Sequence, residues 1–191
     1  MIEIEQIGEA QFALYHAIPA QFTVVSMFRV EAVSGGLGGF RLIHESVAEP
    51  FVKDYGDDGP TGWAETFDLS EWGIFLTREG EQPVGGAAVA SGAPVYPLDR
   101  FQRDDLAVLW DIRVHPEYRR DGVGTRLFQY AAEWARQKGF GQLGTETQNV
   151  NVPACRFYAS QGCVLGAIHR FGYAGCSGVA DEAMLLWYAD L

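Results

Sequence analysis

The chain sets a carboxylate and a phenol twelve positions apart, Glu146 and Tyr158, with the polar turn Gln148-Asn149-Val150-Asn151 and Pro153 between them. A pair of this kind can move protons in both directions. An amine with a reference pKa near ~10.4 must lose a proton before its nitrogen attacks a carbonyl, and a carboxylate can take it directly or through water. A tyrosine hydroxyl can then return a proton to the departing group. Each residue also has a plain reading: a solvated glutamate on an edge face, and a half-buried aromatic on an amphipathic helix. A third feature upstream favours chemistry. It is the helix start Arg119-Arg120-Asp121-Gly122-Val123-Gly124.

These residues need elements to position them. Leu106 to Val114 is a mostly apolar run that reads as a central strand. Thr125 to Lys138 follows as an amphipathic helix, with Leu127, Phe128, Ala131, Trp134 and Ala135 at helical spacing and Gly139 as its C-cap. Glycines ahead of that helix let the backbone approach a ligand closely. The unpaired N–H groups of the first turn and the positive end of the helix dipole favour an anion such as a pyrophosphate. Arg119 and Arg120 add charge. The third glycine of a dinucleotide fingerprint is missing, and there is no GxxxxGK[ST] run. A strand Gly141 to Thr147 carries Glu146, and a helix Pro153 to Gln161 carries Tyr158. Asn151 and Pro153 suit the start of that helix. Base, acid and anion cradle together suit the transfer of an acyl group from a nucleotide-bearing carrier.

A strand, then [RQ]xxGx[GA], then a helix resembles the acetyl-CoA-binding motif of the GNAT superfamily of N-acetyltransferases, over roughly Leu106 to the C-terminus. The resemblance implies that backbone amides from Arg120 through Asp121, Gly122, Val123, Gly124 and Thr125 hold the pyrophosphate of CoA, with Arg119 also on the cofactor-binding side. It also implies that amides of Ile112, Arg113 and Val114 meet the pantetheine arm and the acetyl carbonyl. From the pattern NxxAxxFY it implies a hydrogen bond from Asn151 to the pantetheine arm and a place for Tyr158 beside the CoA sulfur. A glutamate and a tyrosine at this separation are similar to the base and acid of the ribosomal-protein N-terminal acetyltransferases.

A narrower likeness is to the streptothricin acetyltransferases. Glu146-Thr147-Gln148-Asn149, Asn151, Ala154-Cys155-Arg156-Phe157-Tyr158, Asp111-Ile112 and Phe51-Val52-Lys53-Asp54-Tyr55 carry it. It implies acetylation of a primary amine on a cationic antibiotic, with Asp111, Trp110 and Tyr55 as substrate-side candidates. Trp110 stands where an acidic residue is common, and Arg113 where a small one is usual. The acidic run after Tyr55 shrinks to Asp57-Asp58, and Cys163 replaces an aromatic. For Asp111 two readings stand side by side, an ammonium ligand or second carboxylate and an ion pair with Arg113. Acetylation of a protein N-terminus or lysine, and a non-catalytic CoA-binding sensor, are the alternatives.

Composition fits these readings. The 191 residues are 48% apolar and 13% aromatic, enough for one globular domain with a real core. Strand, helix, strand, helix and a strand pair after an antiparallel first half predict an α/β (α+β) fold with a mixed central sheet flanked by helices. Residues 1–191 are expected to form one domain, with 1–105 mostly strands on the substrate side and 106–191 as the acetyl-CoA-binding core. Within the first part, Phe22 to Val33 and Phe40 to Val47 are read as partner strands, Glu71 to Thr77 and Val84 to Ser91 as a hairpin, and Asp54 to Gly62 as a mobile loop.

A net charge of −11 disfavours nucleic-acid partners and suits a cationic small molecule. No signal sequence or span is read, and three cysteines without metal spacing point to the cytoplasm. Four scattered histidines form no HExxH, so no metal is expected, and Ser177 in GCSGV fails the nucleophile-elbow pattern. Cys155 reads as a small core residue, because direct transfer needs no covalent thiol. The assembly is expected to be a monomer or a homodimer.

Overall fold

The structure, a computed structural model, describes residues 3–56, 58–91 and 103–191. Its strands are β1 (Glu3–Gln6), β2 (Gln21–Ala32), β3 (Phe40–Asp54), β4 (Gly73–Glu79), β5 (Gln82–Ala90), β6 (Leu106–Val114), β7 (Gln142–Gln148), β8 (Val164–His169) and β9 (Met184–Asp190). Its helices are α1 (Phe12–His16), α2 (Pro60–Thr66), α3 (Val123–Gln137) and α4 (Val152–Ser160). Seven strands form one mixed sheet in the order β1-β4-β5-β6-β7-β9-β8, and β2 and β3 form a separate ribbon. The fold is the expected α/β one. The chain divides into two compact units, one of residues 1–21, 55–144 and 190–191, the other of residues 22–54 and 145–189.

In the first unit β1, β4, β5 and β6 pair antiparallel. β6 pairs parallel to β7 from Leu106 against Gln142 to Val108 against Gly144, and then continues to Val114. Between Leu109 and Asp111 the β5–β6 register shifts, so Trp110 is the extra residue of a bulge. β5 is built from small residues because helices press on both its faces. A Cβ on Gly85 would lie 2.9 Å from Leu127 and 3.0 Å from Val123 of α3. One on Gly86 would lie 2.4 Å from the ring of Tyr15 in α1. Successive residues of a strand face opposite sides, so α1 and α3 sandwich β5. The buried face of α3 is Val123, Leu127, Phe128, Ala131 and Ala135; four of these are on the predicted stripe, whose fifth member, Trp134, is half-buried.

α1 and α2 are elements that the periodicity does not reveal. The expected mobile loop over residues 54–62 is instead fastened at Asp58. Its carbonyl accepts from Arg113 Nη2 at 2.9 Å, and its carboxylate accepts from Trp63 Nε1. Gly59 and Pro60 are buried, and Pro60 opens α2, where its fixed φ suits a first turn. Asp57 lies outside the described residues.

In the second unit β3 runs to Asp54, seven residues past the expected Val47. Pro50 does not stop it, because a two-stranded ribbon leaves each strand an outer edge where no N–H is needed. β8 and β9 pair antiparallel from Val164 against Tyr188 to His169 against Met184.

Candidate active site

The candidate anion cradle belongs to the first unit. β6 ends with His115 N–H bonded to the Val84 carbonyl at 2.8 Å, and a single 3-10 turn, Pro116–Tyr118, redirects the chain. Arg120 and Gly122 both have left-handed φ, 77° and 80°. For Gly122 this conformation is free of strain. For Arg120 it costs on the order of 1 kcal/mol, the kind of local cost that collects at functional turns. Gly122 caps α3, and a Cβ there would meet nothing within 4 Å. The intrahelical ladder includes Arg126 N–H to the Gly122 carbonyl at 3.1 Å. The amides of Val123, Gly124 and Thr125 precede it and have no carbonyl four residues back within the helix. A fifteen-residue helix that opens on glycines fits a diphosphate.

Arg119 is used differently from its sequence reading. Its guanidinium donates to the Val114 carbonyl at 3.1 Å and to the Gln21 carbonyl at 3.0 Å. It therefore ties the end of β6 to the cradle turn.

The substrate-side candidates on β6 are packed inward. Asp111 Oδ2 accepts from Tyr15 O–H at 2.5 Å and from Arg113 Nε at 2.7 Å. The Arg113 guanidinium is 5.2 Å from the centre of the Tyr15 ring. The ion-pair reading of Asp111 is the observed arrangement. Burial, then the negative charge of Asp111, pushes the Tyr15 phenol well above its ordinary pKa. Burial opposes the Arg113 cation, but Asp111 outweighs it and holds Arg113 above the ordinary arginine value. Trp110 is half-buried against Trp63, Phe67 and Trp72, with ring centres 5.3–6.4 Å away. Tyr55 is 37% exposed and donates its N–H to the Ala20 carbonyl at 3.3 Å.

The candidate acid and base, Tyr158 and Glu146, both lie in the second unit. Thr145 and Thr147 are buried on one face of β7, and Glu146, between them, is half-buried on the other. The Glu146 carboxylate accepts a hydrogen bond from the hydroxyl of Tyr173. α4 starts as the sequence indicates: Asn151 Oδ1 caps Ala154 N–H at 3.1 Å, and Pro153 sits in the first turn. Tyr158 is 6% exposed and packs against Phe157 and Trp187, with ring centres at 5.5 and 6.5 Å. Cys155 faces the interior of the same helix, and burial pushes its thiol up to about 12, as suits an inert core residue.

Two side chains make contacts in the second unit that the sequence does not assign to them. Asn149 follows β7 and is 3% exposed. Its N–H and carbonyl bond Ala183 O and Phe28 N–H, both at 2.9 Å. Its side chain repeats the pattern, Nδ2 to Phe28 O at 2.9 Å and Oδ1 from Ala183 N–H at 2.8 Å. Beside it is a cavity of about 270 Å³ lined by Met27, Arg29, Arg170, Phe171 and Asp181 among others. Tyr173 is the second. Its sequence context, a glycine-rich turn segment that also holds the exposed Phe171, does not single it out. Among the described residues no three His, Cys, Asp or Glu side chains gather as a metal site, and no helix is long and apolar enough to cross a membrane.

The first unit thus carries a helix that opens on glycines, and the second a strand glutamate and a helix tyrosine, in an α/β fold. The model of the acetyltransferase (GNAT) family matches residues 40–163. The chain is 40% identical over 160 residues to streptothricin acetyltransferase A of Bacillus subtilis (strain 168), covering 79% of this chain and 80% of that one. It is 32% identical over 184 residues to the streptothricin acetyltransferase of Escherichia coli, covering 96% and 91%. Among solved structures, nourseothricin acetyltransferase superposes with a TM-score of 0.78 at 25% identity over 99% of this chain and 98% of that one. A Bacillus anthracis (strain Ames) protein in complex with acetyl coenzyme A shares the fold, with a TM-score of 0.80 at 24% identity over all of both chains. The chain belongs to the GNAT family of acetyltransferases. It is an enzyme, an N-acetyltransferase with acetyl-CoA as co-substrate.

Proposed function

We propose that this enzyme acetylates a primary amine of a cationic, streptothricin-type small molecule, with Glu146 as the base and Tyr158 as the acid. The observation that carries the acceptor class is the 40% identity, over about four-fifths of both chains, to the Bacillus subtilis streptothricin acetyltransferase A. The acidic balance, −11 over the whole chain, supports it by drawing a polycation from solution.

In this reading the amides of Arg120 to Thr125 hold the CoA diphosphate, the β6 end at Ile112 to Val114 and Asn151 orient the pantetheine arm, and Arg119 keeps the cradle turn in place. Bound acetyl-CoA supplies the thioester that the amine attacks. Glu146 accepts the ammonium proton, directly or through a water, so that the nitrogen carries a lone pair. Tyr158 donates its phenolic proton to the sulfur that leaves. Asp111 is charge-compensated by Arg113 and serves β6 itself, which leaves Tyr55 as the substrate-side candidate with an exposed ring.

A thiol-release screen with acetyl-CoA against streptothricin, lysine-like amines, aminoglycosides and short peptides tests the acceptor. Turnover of streptothricin well above the others is expected. Preference for a peptide N-terminus would move the acceptor to proteins, in line with the 26% identity to the ribosomal protein bS18-alanine N-acetyltransferase of Escherichia coli. Tyr158→Phe and Glu146→Gln are each expected to slow the preferred reaction by roughly 10²-fold or more, the usual scale of general acid–base catalysis. A variant of either kind with parental turnover would remove that residue from the mechanism.

A further inference from the structure

We propose that Tyr173 is a positioning residue that orients the Glu146 carboxylate. The inference rests on the reading of Glu146 as the base. A glutamate has three rotatable side-chain bonds, so a carboxylate at the end of β7 samples many orientations unless something holds it. Tyr173 supplies that hold by donating its hydroxyl proton to Glu146 Oε1.

The phenol is itself well fixed. Tyr173 is only 8% exposed, although it lies in the segment between β8 and β9, which is a chain of turns. Gly172 N–H bonds the His169 carbonyl at 3.2 Å, and Cys176 N–H bonds the Tyr173 carbonyl at 2.8 Å. The backbone also lies close on β9: a Cβ on Gly172 would sit 3.0 Å from Met184 Cβ. The glycine thus lets the turn press down on the strand and deliver the ring to Glu146. A hydrogen bond from a neutral phenol to a carboxylate is charge-assisted and directional. It fixes the side chain before the amine arrives, so the orientation is not lost as entropy at the moment of proton transfer. Tyr173 does not exchange a proton in the reaction. It holds the group that does.

A double-mutant cycle read in kcat separates this role from simple structural support. Tyr173→Phe keeps the ring and removes only the hydroxyl. With the best amine from the screen, it is expected to lower kcat about 10-fold, the scale of one hydrogen bond to a charged group, and to leave KM for acetyl-CoA unchanged. In a Glu146→Gln background the same change is expected to lower kcat by less than about 2-fold, because the carboxylate it acts through is gone. Parental kcat in Tyr173→Phe, or equal losses in both backgrounds, would overturn the role of Tyr173 while leaving Glu146 as the base. Parental kcat in Glu146→Gln alone would overturn the base assignment, and with it this inference.

Discussion

Asn149 offers the sharpest test of how the second unit is held together. The residue acts as a two-sided strand: backbone and side chain each make one bond to Phe28 and one to Ala183. Asn149→Ala keeps the two backbone bonds and deletes the two side-chain bonds. The Phe28 carbonyl and the Ala183 N–H lose those partners, and Ala183 is only 6% exposed. A buried group left without its partner costs about 1–3 kcal/mol, and the half-buried Phe28 carbonyl less, so the two give about 2–4 kcal/mol. The neighbouring cavity of about 270 Å³ has polar lining on Arg29 and Asp181 and offers room for a water to replace part of the loss. The expected cost is therefore at the low end, about 2–3 kcal/mol. For a chain of this length that corresponds to a fall in midpoint of roughly 5–10 °C.

Thermal and urea unfolding of the parent and of Asn149→Ala measure this directly. Asn149→Asp adds a sign test. Its carboxylate keeps the acceptor for Ala183 N–H but turns an oxygen towards the Phe28 carbonyl where a donor stood. It should be at least as unstable as Asn149→Ala at neutral pH, and should regain stability relative to it on acidification, because a protonated carboxyl donates again. A midpoint for Asn149→Ala within about 1 °C of the parent would refute the clamp, since that corresponds to less than ~0.5 kcal/mol.

Two further outcomes follow from burial. Gly86→Ala drives a methyl to 2.4 Å from the Tyr15 ring, so it should cost about 1–3 kcal/mol by overpacking, read by urea denaturation; no loss would mean that α1 does not lie on β5 as described. Burial raises Cys155 from 9.0 to about 12 and Cys163 from 9.0 to about 11, and raises Tyr15 well above 10.0. The folded chain keeps protons that the unfolded chain releases, so stability is intact below about pH 9 and falls as pH rises through the folded values. Linkage gives about 1.4 kcal/mol per thiol between pH 7 and 10. Equal urea midpoints at pH 7.5 and 10 would contradict it.

Legibility followed the reach of the signal. β6 and α3 are long, periodic and single-purpose, and β6 is found at its expected bounds, Leu106–Val114. The cap of α4 was readable because Asn151 and Pro153 act on neighbours within a few residues. α1 and α2 escaped because one or two turns carry no period to detect, and their apolar residues are explained only by what they meet across the fold, as Tyr15 meets Gly86. Asn149 and Tyr173 escaped for the same reason. Their partners lie 121 and 27 residues away, and nothing local distinguishes them from loop residues. Arg119 shows the converse case, since its type suggested phosphate while its geometry gives it to two carbonyls.

The two carboxylates singled out by the sequence receive different treatment, and the difference bears on which one does chemistry. Asp111 takes a tyrosine hydroxyl and a guanidinium on the same oxygen, and Arg113 is itself 7% exposed, so the pair is sealed. A buried ion pair of this sort is tightly bound to its partner and expensive to disrupt. An arriving ammonium would have to compete with Arg113 for a charge already used. Glu146 accepts a hydrogen bond from a phenol, a neutral donor that orients an oxygen. A carboxylate handled in that way keeps its capacity to attract and deprotonate an ammonium, which is what the base of an amine acetyltransferase must do.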